Sequence, residues 1–214
     1  RDIVKRLKEG YPAAMLTYLP KGDGPLIKEA PDLIEAYAAV PERIRTVIDD
    51  GIPSVIEEED RTVFVEPFRP KERLIVLGGG HIALPLVKFA SETGFSVTVV
   101  DDRPSFANTG RFPWAERVIC ETFEDSFDIL KLTEYDYVVI ITRGHRHDTL
   151  CLRRILSEKE TVYLGMIGSK HRVNGVKELL IREGYDAERI GRMSTPIGLD
   201  IGAVTPEEIA ISIL

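Results

Sequence analysis

From Arg73 onward the chain alternates short apolar strands with helical stretches, an order that few architectures accept. RLIVL (73–77) reads as a strand, and a helical pattern follows from His81 to Thr93 until Gly94 stops it. FSVTVVD (95–101) is the second strand. RVIC (117–120), after a long loop, is the third, and EDSFDIL (124–130) suits a short helix. DYVVIIT (136–142) is a continuous apolar run, as a parallel strand buried on both faces requires. A helix over 148–158, the strand TVYLG (161–165) and a long helix from about Ser169 to Glu183 complete the series. Repeated units of this kind imply an α/β fold, a doubly wound parallel sheet with right-handed crossovers.

Residues 1–70 differ in character and are expected to form a small α+β N-terminal domain, with 71–214 as the second domain. Asp2 to Glu9 suits a helix ended by Gly10, AAMLTYL (13–19) a strand, and KGDGP (21–25) a turn. Residues 32–50 have helical apolar spacing interrupted at Pro41. PSVIEEEDRTVFVEPF (53–68) reads as a hairpin turning near Glu59 and Asp60, and PFRPKE (67–72), with two prolines, as the linker. TPEEIAISIL (205–214) reads as a helix cut short, which suggests a piece of a longer protein.

Composition narrows the partners. Of 214 residues 43% are hydrophobic, enough for a packed core, and the net charge of -7 with no basic run argues against nucleic acid. No apolar run is long enough to span a bilayer. Two cysteines, Cys120 and Cys151, far apart in sequence, argue against a disulfide framework or a thiolate zinc site and fit a reducing cytoplasm.

The chemistry centres on Gly78-Gly79-Gly80-His81-Ile82-Ala83, which fits G-x-G-x-x-A between a strand and a helix. Gly78 makes the tight turn, Gly80 lets the backbone approach a phosphate, and the small Ala83 lets helix pack on strand. The phosphate then meets free N–H groups and the helix dipole. Asp101 ends the next strand about 20 residues on, where the dinucleotide fingerprint places a ribose-binding acid. Asp102 and Arg103 follow, and Arg103 is suited to a 2′-phosphate, so NAD and NADP both remain open. The domain is Rossmann-like on this pattern.

Ligands of such sheets lie beyond the carboxyl ends of the strands, where strand order reverses. Arg143, His145, His147 and Asp148 follow the fourth strand, and His145, His147 and Asp148 are expected near His81. Gly168, Ser169 and Lys170 follow the fifth, with Ser169 as N-cap of a helix whose start is a second anion site. TPIGLDIGA (195–203) is expected to be an ordered loop over the same edge. Three readings of the histidines compete. H-x-H-D on a loop lacks distinctive metal-ligand spacing, and no metal site is assigned. His145 is the candidate acid/base if the chain is an enzyme. Alternatively, Asp148 caps the following helix and the histidines line a polar cleft. His171 reads as solvated, Cys151 as core, and Cys120 as a candidate at the cleft edge.

GGGHIA, VDDRPSFANTGRFP, TRGHRHD, YLGMIGSKHRV and TPIGLDIGAVTPEEIAISI, in that order, resemble the C-terminal Rossmann domain of the XdhC/CoxI family, the xanthine dehydrogenase accessory proteins. The resemblance covers 73–214 almost without gaps and implies a role in maturing molybdenum hydroxylases: binding the molybdenum cofactor (molybdopterin) and delivering it to the apo-enzyme. Family members typically carry an N-terminal serine-glycine-glycine-cysteine motif. Residues 1–70 contain no cysteine, so this part resembles a shortened variant. Arg143, His145 and Asp148 match the family pattern. The expectation is a cytoplasmic, homodimeric accessory protein that holds a phosphate-bearing cofactor, molybdopterin or NAD(P), at Gly78–His81, with Asp101–Arg103, His145 and Gly168–Lys170 framing it. An NAD(P)-dependent oxidoreductase and a nucleotide-binding interaction protein are the alternatives.

Overall fold

A computed structural model describes residues 2–8, 11–21, 25–29, 40–59, 61–158 and 160–214; the side chains of Asp2, Lys8, Glu29 and His145 also lie outside the description. The chain divides into two compact units, 1–71 and 72–214. Among the described residues no helix is long and apolar enough to cross a membrane.

The first unit contains α1 (Asp2–Lys8), β1 (Ala13–Pro20), β2 (Ile27–Glu29), α2 (Glu42–Asp50), β3 (Ser54–Glu57) and β4 (Arg61–Phe68). Its strands form an antiparallel sheet in the order β2-β1-β4-β3. Ala14 and Leu16 of β1 and Val63 and Val65 of β4 point to one face by the two-residue period of a strand, and Ile44 and Ile48 of α2 complete that core. Pro41 stands before the first turn of α2, where a missing N–H costs nothing, and Gly51 closes the helix with φ 69°. The expected linker starts too early. Pro67 and Phe68 belong to β4 and pair with Ala14 and Ala13, while β3 pairs only as far as Val65, so Pro67 has no β3 neighbour needing its N–H. The expected helix over 32–39 and the turns at Gly10, 22–24 and Asp60 lie outside the described residues.

The second unit is the doubly wound sheet. β5 (Arg73–Leu77), β6 (Ser96–Asp101), β7 (Arg117–Cys120), β8 (Asp136–Ile140) and β9 (Tyr163–Met166) are all parallel, in the order β7-β6-β5-β8-β9. The order reverses between β5 and β8. Alternate strand residues feed two cores. On one face Leu74, Val76, Val97, Val99 and Val139 meet α3 (Ala83–Glu92) and α8 (Pro206–Ile213). On the other, Ile75, Leu77, Val100, Val138 and Ile140 meet α4 (Phe123–Leu130), α5 (His145–Ser157), α6 (Lys170–Arg182) and α7 (Ala187–Arg192). At the amino edge Arg73 grips the buried Asp136 in a bidentate pair, Nε–Oδ1 2.6 Å and Nη2–Oδ2 2.5 Å, fixing where β5 and β8 begin.

Two helix starts differ from expectation. α3 begins at Ala83, not His81, because Gly80, His81 and Ile82 form the turn that reverses the chain. α5 begins at His145, three residues earlier than expected, because Gly144 with φ 135° turns the chain directly into the helix. Asp148 is therefore inside the first turn and is not the N-cap.

Candidate functional site

The glycine loop leaves β5 at the strand-order reversal. A Cβ on Gly78, whose φ is 114°, would meet the Ile141 carbonyl oxygen at 2.5 Å, so this turn packs backbone against backbone at the end of β8. A Cβ on Gly80 would meet nothing within 4 Å. Among the described residues the amides of Gly80 and His81 have no protein partner, and His81 is exposed. Free amides in the turn that leads into α3, beside the open space at Gly80, are suited to an anion. Ala83, fully buried, packs α3 onto the sheet.

Gly79 plays a part that the motif does not convey. Its amide donates to Asp101 Oδ2 at 2.8 Å, and a Cβ there would meet the Phe106 carbonyl oxygen at 2.6 Å. The segment after β6 thus lies directly on the loop. Arg111 Nε donates to the Gly79 carbonyl at 3.2 Å, and Asn108 Oδ1 accepts from the Arg111 amide at 2.9 Å to hold that turn. Arg103 lies over the Phe106 ring, its Cζ 3.6 Å from the centroid. Arg111 Nη2 is buried without a partner among the described residues.

Asp101, 1% exposed, is fully engaged. Besides the Gly79 amide it accepts from the Arg103 amide (3.1 Å), Nε (2.8 Å) and Nη2 (3.0 Å). Burial pushes its carboxyl upward, but the Arg103 side chain and then the two amides outweigh that and hold it below the ordinary aspartate value. Asp101 in turn holds the Arg103 guanidinium more firmly protonated. The residue expected to read a ribose hydroxyl is closed by its own neighbour.

Arg143, exposed at the end of β8, donates to Asp102 Oδ2 at 3.1 Å and so bridges the ends of β8 and β6. Asp148 is fully buried. Thr142 Oγ1 donates to its Oδ1 at 2.5 Å and Arg172 Nη2 to its Oδ2, joining the starts of α5 and α6. The backbone of His145 opens α5, and its side chain lies outside the described residues. His147 stands 5.2 Å from the Phe123 ring, and His171 is exposed. Ser169 caps α6, accepting from the Arg172 amide at 3.3 Å, with Lys170 exposed beside it. Gly168, Ser169 and Lys170 follow β9, two strands from β5. Residues 194–197 bond along β9, and Leu199 reaches the Ser212 carbonyl in α8. Cys151 is fully buried, its thiol pushed up to about 12, whereas Cys120 is exposed.

Phe106, Arg111, Thr142 and Arg172 are the participants that sequence reasoning passed over. The signal for the first two was the length of the 102–116 connection, since a long ordered loop in a compact domain is commonly functional. Thr142 and Arg172 carried no such signal.

Residues 74–214 match the profile of the XdhC Rossmann domain. The chain belongs to the XdhC family. It is 32% identical over 157 residues to a probable xanthine dehydrogenase subunit of Bacillus subtilis (strain 168), a match that covers 73% of this chain and 45% of that protein. It is 30% identical over 154 residues to an uncharacterized protein, YqeB, of Escherichia coli (strain K12), covering 72% and 28%. A crystal structure of a xanthine dehydrogenase from Bacillus halodurans superposes with a TM-score of 0.70 at 28% identity, over 99% of this chain and 62% of that one. The chain thus spans less than half of each curated relative that it matches.

Proposed function

We propose that this XdhC-family chain is an accessory protein in the maturation of a molybdenum hydroxylase of the xanthine dehydrogenase type, holding a phosphate-bearing cofactor for delivery to the apo-enzyme. The observation that carries this reading is the pairing of an open grip with a closed ribose reader. Gly80 faces unobstructed space in the turn before α3, while every hydrogen bond of Asp101 goes to Gly79 and Arg103. A dehydrogenase needs Asp101 for the ribose of its dinucleotide. A holder of a phosphorylated pyranopterin needs only the phosphate grip.

The residues fit such a group. The Gly80 and His81 amides would take the phosphate, and the unpartnered Arg111 Nη2 lies on a side chain already anchored to Gly79. Molybdopterin, when bound, would supply the dithiolene that carries molybdenum, while this chain's residues orient it and keep its phosphate fixed. An apo molybdenum hydroxylase and a second copy of this chain are the proposed protein partners. Exposed Leu199, Val204 and Ile211, at 77%, 82% and 58%, supply apolar surface for such contacts.

The test is calorimetry with pyrophosphate, a phosphorylated pyranopterin, NAD and NADP, on wild type and Gly80→Asp. The reading expects pyrophosphate and pterin to bind wild type and to be lost in the variant. Tight NAD binding with steady turnover on a xanthine-type substrate would promote the oxidoreductase instead.

A further inference from the structure

Arg103 stands between two neighbouring carboxylates, and its side chain hydrogen-bonds to one of them. Its Nε donates to Asp101 Oδ1 at 2.8 Å and its Nη2 to Asp101 Oδ2 at 3.0 Å, while the same Nε lies 3.9 Å from Asp102 Oδ1. Arg143 donates to the other oxygen of Asp102, Oδ2, at 3.1 Å. Oδ1 is buried and accepts no hydrogen bond among the described residues. A buried carboxylate oxygen without a donor is costly. This one is closed to solvent, so the donor that serves it comes from within the chain, and Arg103 is the cation beside it. A shift of Nε by about 1 Å reaches ordinary hydrogen-bond length.

The guanidinium has a surface to slide on. Its Cζ lies 3.6 Å from the centroid of the Phe106 ring, and the attraction of a planar cation to a ring face survives a lateral shift of that size. Phe106 itself is fixed, with its carbonyl oxygen against Gly79 and the Arg111 Cζ 5.0 Å from its ring. Asp101 keeps two donors if Arg103 moves: the Gly79 amide on Oδ2 at 2.8 Å and the Arg103 amide on Oδ1 at 3.1 Å. Each oxygen then has acceptor capacity free for a hydroxyl. One charged pair is exchanged for another, so the move is close to balanced, and the hydrogen bonds of an incoming diol decide it.

We propose that Arg103 is a gate with two seats that sets the specificity of the glycine loop. Seated on Asp101 it admits a phosphate and shuts out a ribose. Seated on Asp102 it frees Asp101 to accept from the vicinal hydroxyls of a nucleotide. Asp102 is thus a positioning residue that acts through Arg103 and touches no ligand. The inference rests on the phosphate grip proposed above, and it adds how the same site takes a ribose-bearing ligand.

The experiment titrates the full chain by calorimetry with ADP, with 2′,3′-dideoxy-ADP, which carries the same phosphates without the diol, and with pyrophosphate as a separate arm. ADP should bind wild type more tightly than the dideoxy compound. Asp102→Asn should remove that preference, because the second seat loses its charge. Arg103→Ala should widen it about tenfold, the value of one freed charged acceptor, and adding Asp102→Asn to Arg103→Ala should then change nothing. This last arm separates the gate from a structural role, since Asp102 also holds Arg143. An effect of Asp102→Asn that persists without Arg103, or that Arg143→Ala reproduces in full, overturns the gate. So does a wild type that binds ADP and the dideoxy compound equally, the mark of a permanently closed site, even where pyrophosphate binds. A diol preference governed by Arg103 and Asp102 in a protein that does not bind pyrophosphate upholds the gate and overturns the phosphate reading.

Discussion

The Gly79 amide donates to Asp101 Oδ2 at 2.8 Å, tying the first turn after β5 to the last residue of β6. The same carboxylate takes Arg103 on both oxygens. Removing the guanidinium should therefore reopen the ribose position. Arg103→Ala is expected to bind NAD about tenfold more tightly than wild type, the value of one freed charged acceptor, and to leave pyrophosphate affinity nearly unchanged. Calorimetric titration of both proteins measures this, and an unchanged NAD affinity would show that Arg103 is not the barrier.

The adjacent glycines should separate cleanly. Gly79→Ala drives a Cβ to 2.6 Å from the Phe106 carbonyl oxygen, a backbone atom that cannot swing away. A cost of about 1–3 kcal/mol is expected. Gly80→Ala meets nothing within 4 Å and should change stability by less than about 0.5 kcal/mol. Urea unfolding of the two variants reads the difference.

Acid should loosen this corner. The folded Asp101 carboxyl lies below its ordinary value of 3.8, so its stabilisation is complete above that pH and is lost as pH falls through the depressed folded value. Unfolding free energy should decline below about pH 4, and Asp101→Asn, already without the charge, should lose less over the same interval. Parallel slopes for the two proteins would assign the acid sensitivity to other carboxylates.

Arg172 is a better target than its exposed neighbours Lys170 and His171. Arg172→Met leaves Asp148, fully buried, with Thr142 as its remaining side-chain partner. Breaking a buried pair costs roughly 3–5 kcal/mol, and the partial exposure of Arg172 lowers the expectation to about 2–3 kcal/mol. Denaturant melts test it, and Lys170→Met serves as the near-neutral control.

The two thiols should react in sequence. Burial pushes Cys151 up to about 12, whereas Cys120 is exposed at the end of β7. A disulfide reagent at pH 8 should modify one thiol per chain rapidly and the second only on unfolding. Equal rates under native conditions would contradict the burial of Cys151.

The layered sheet, the glycine turn and the Ser169 cap are legible in the amino-acid order, because each depends on neighbours along the chain. Strands such as Arg73–Leu77 and Asp136–Ile140 announce themselves by apolar runs, Gly78 by its place between strand and helix, and Ser169 by its position before a helix. What the site residues do is settled by folding in three dimensions. Asp101 and Arg103 are two residues apart, yet whether Asp101 meets a ribose or Arg103 depends on the 102–116 segment folding back over Gly79. Asp148 read as a helix cap from its local position, but Gly144 starts α5 earlier, and Arg172, 24 residues away, claims the carboxylate. Hydrogen bonds between distant side chains leave no periodic trace in a sequence, because they depend on packing directions that form only when the sheet and both helix layers are assembled.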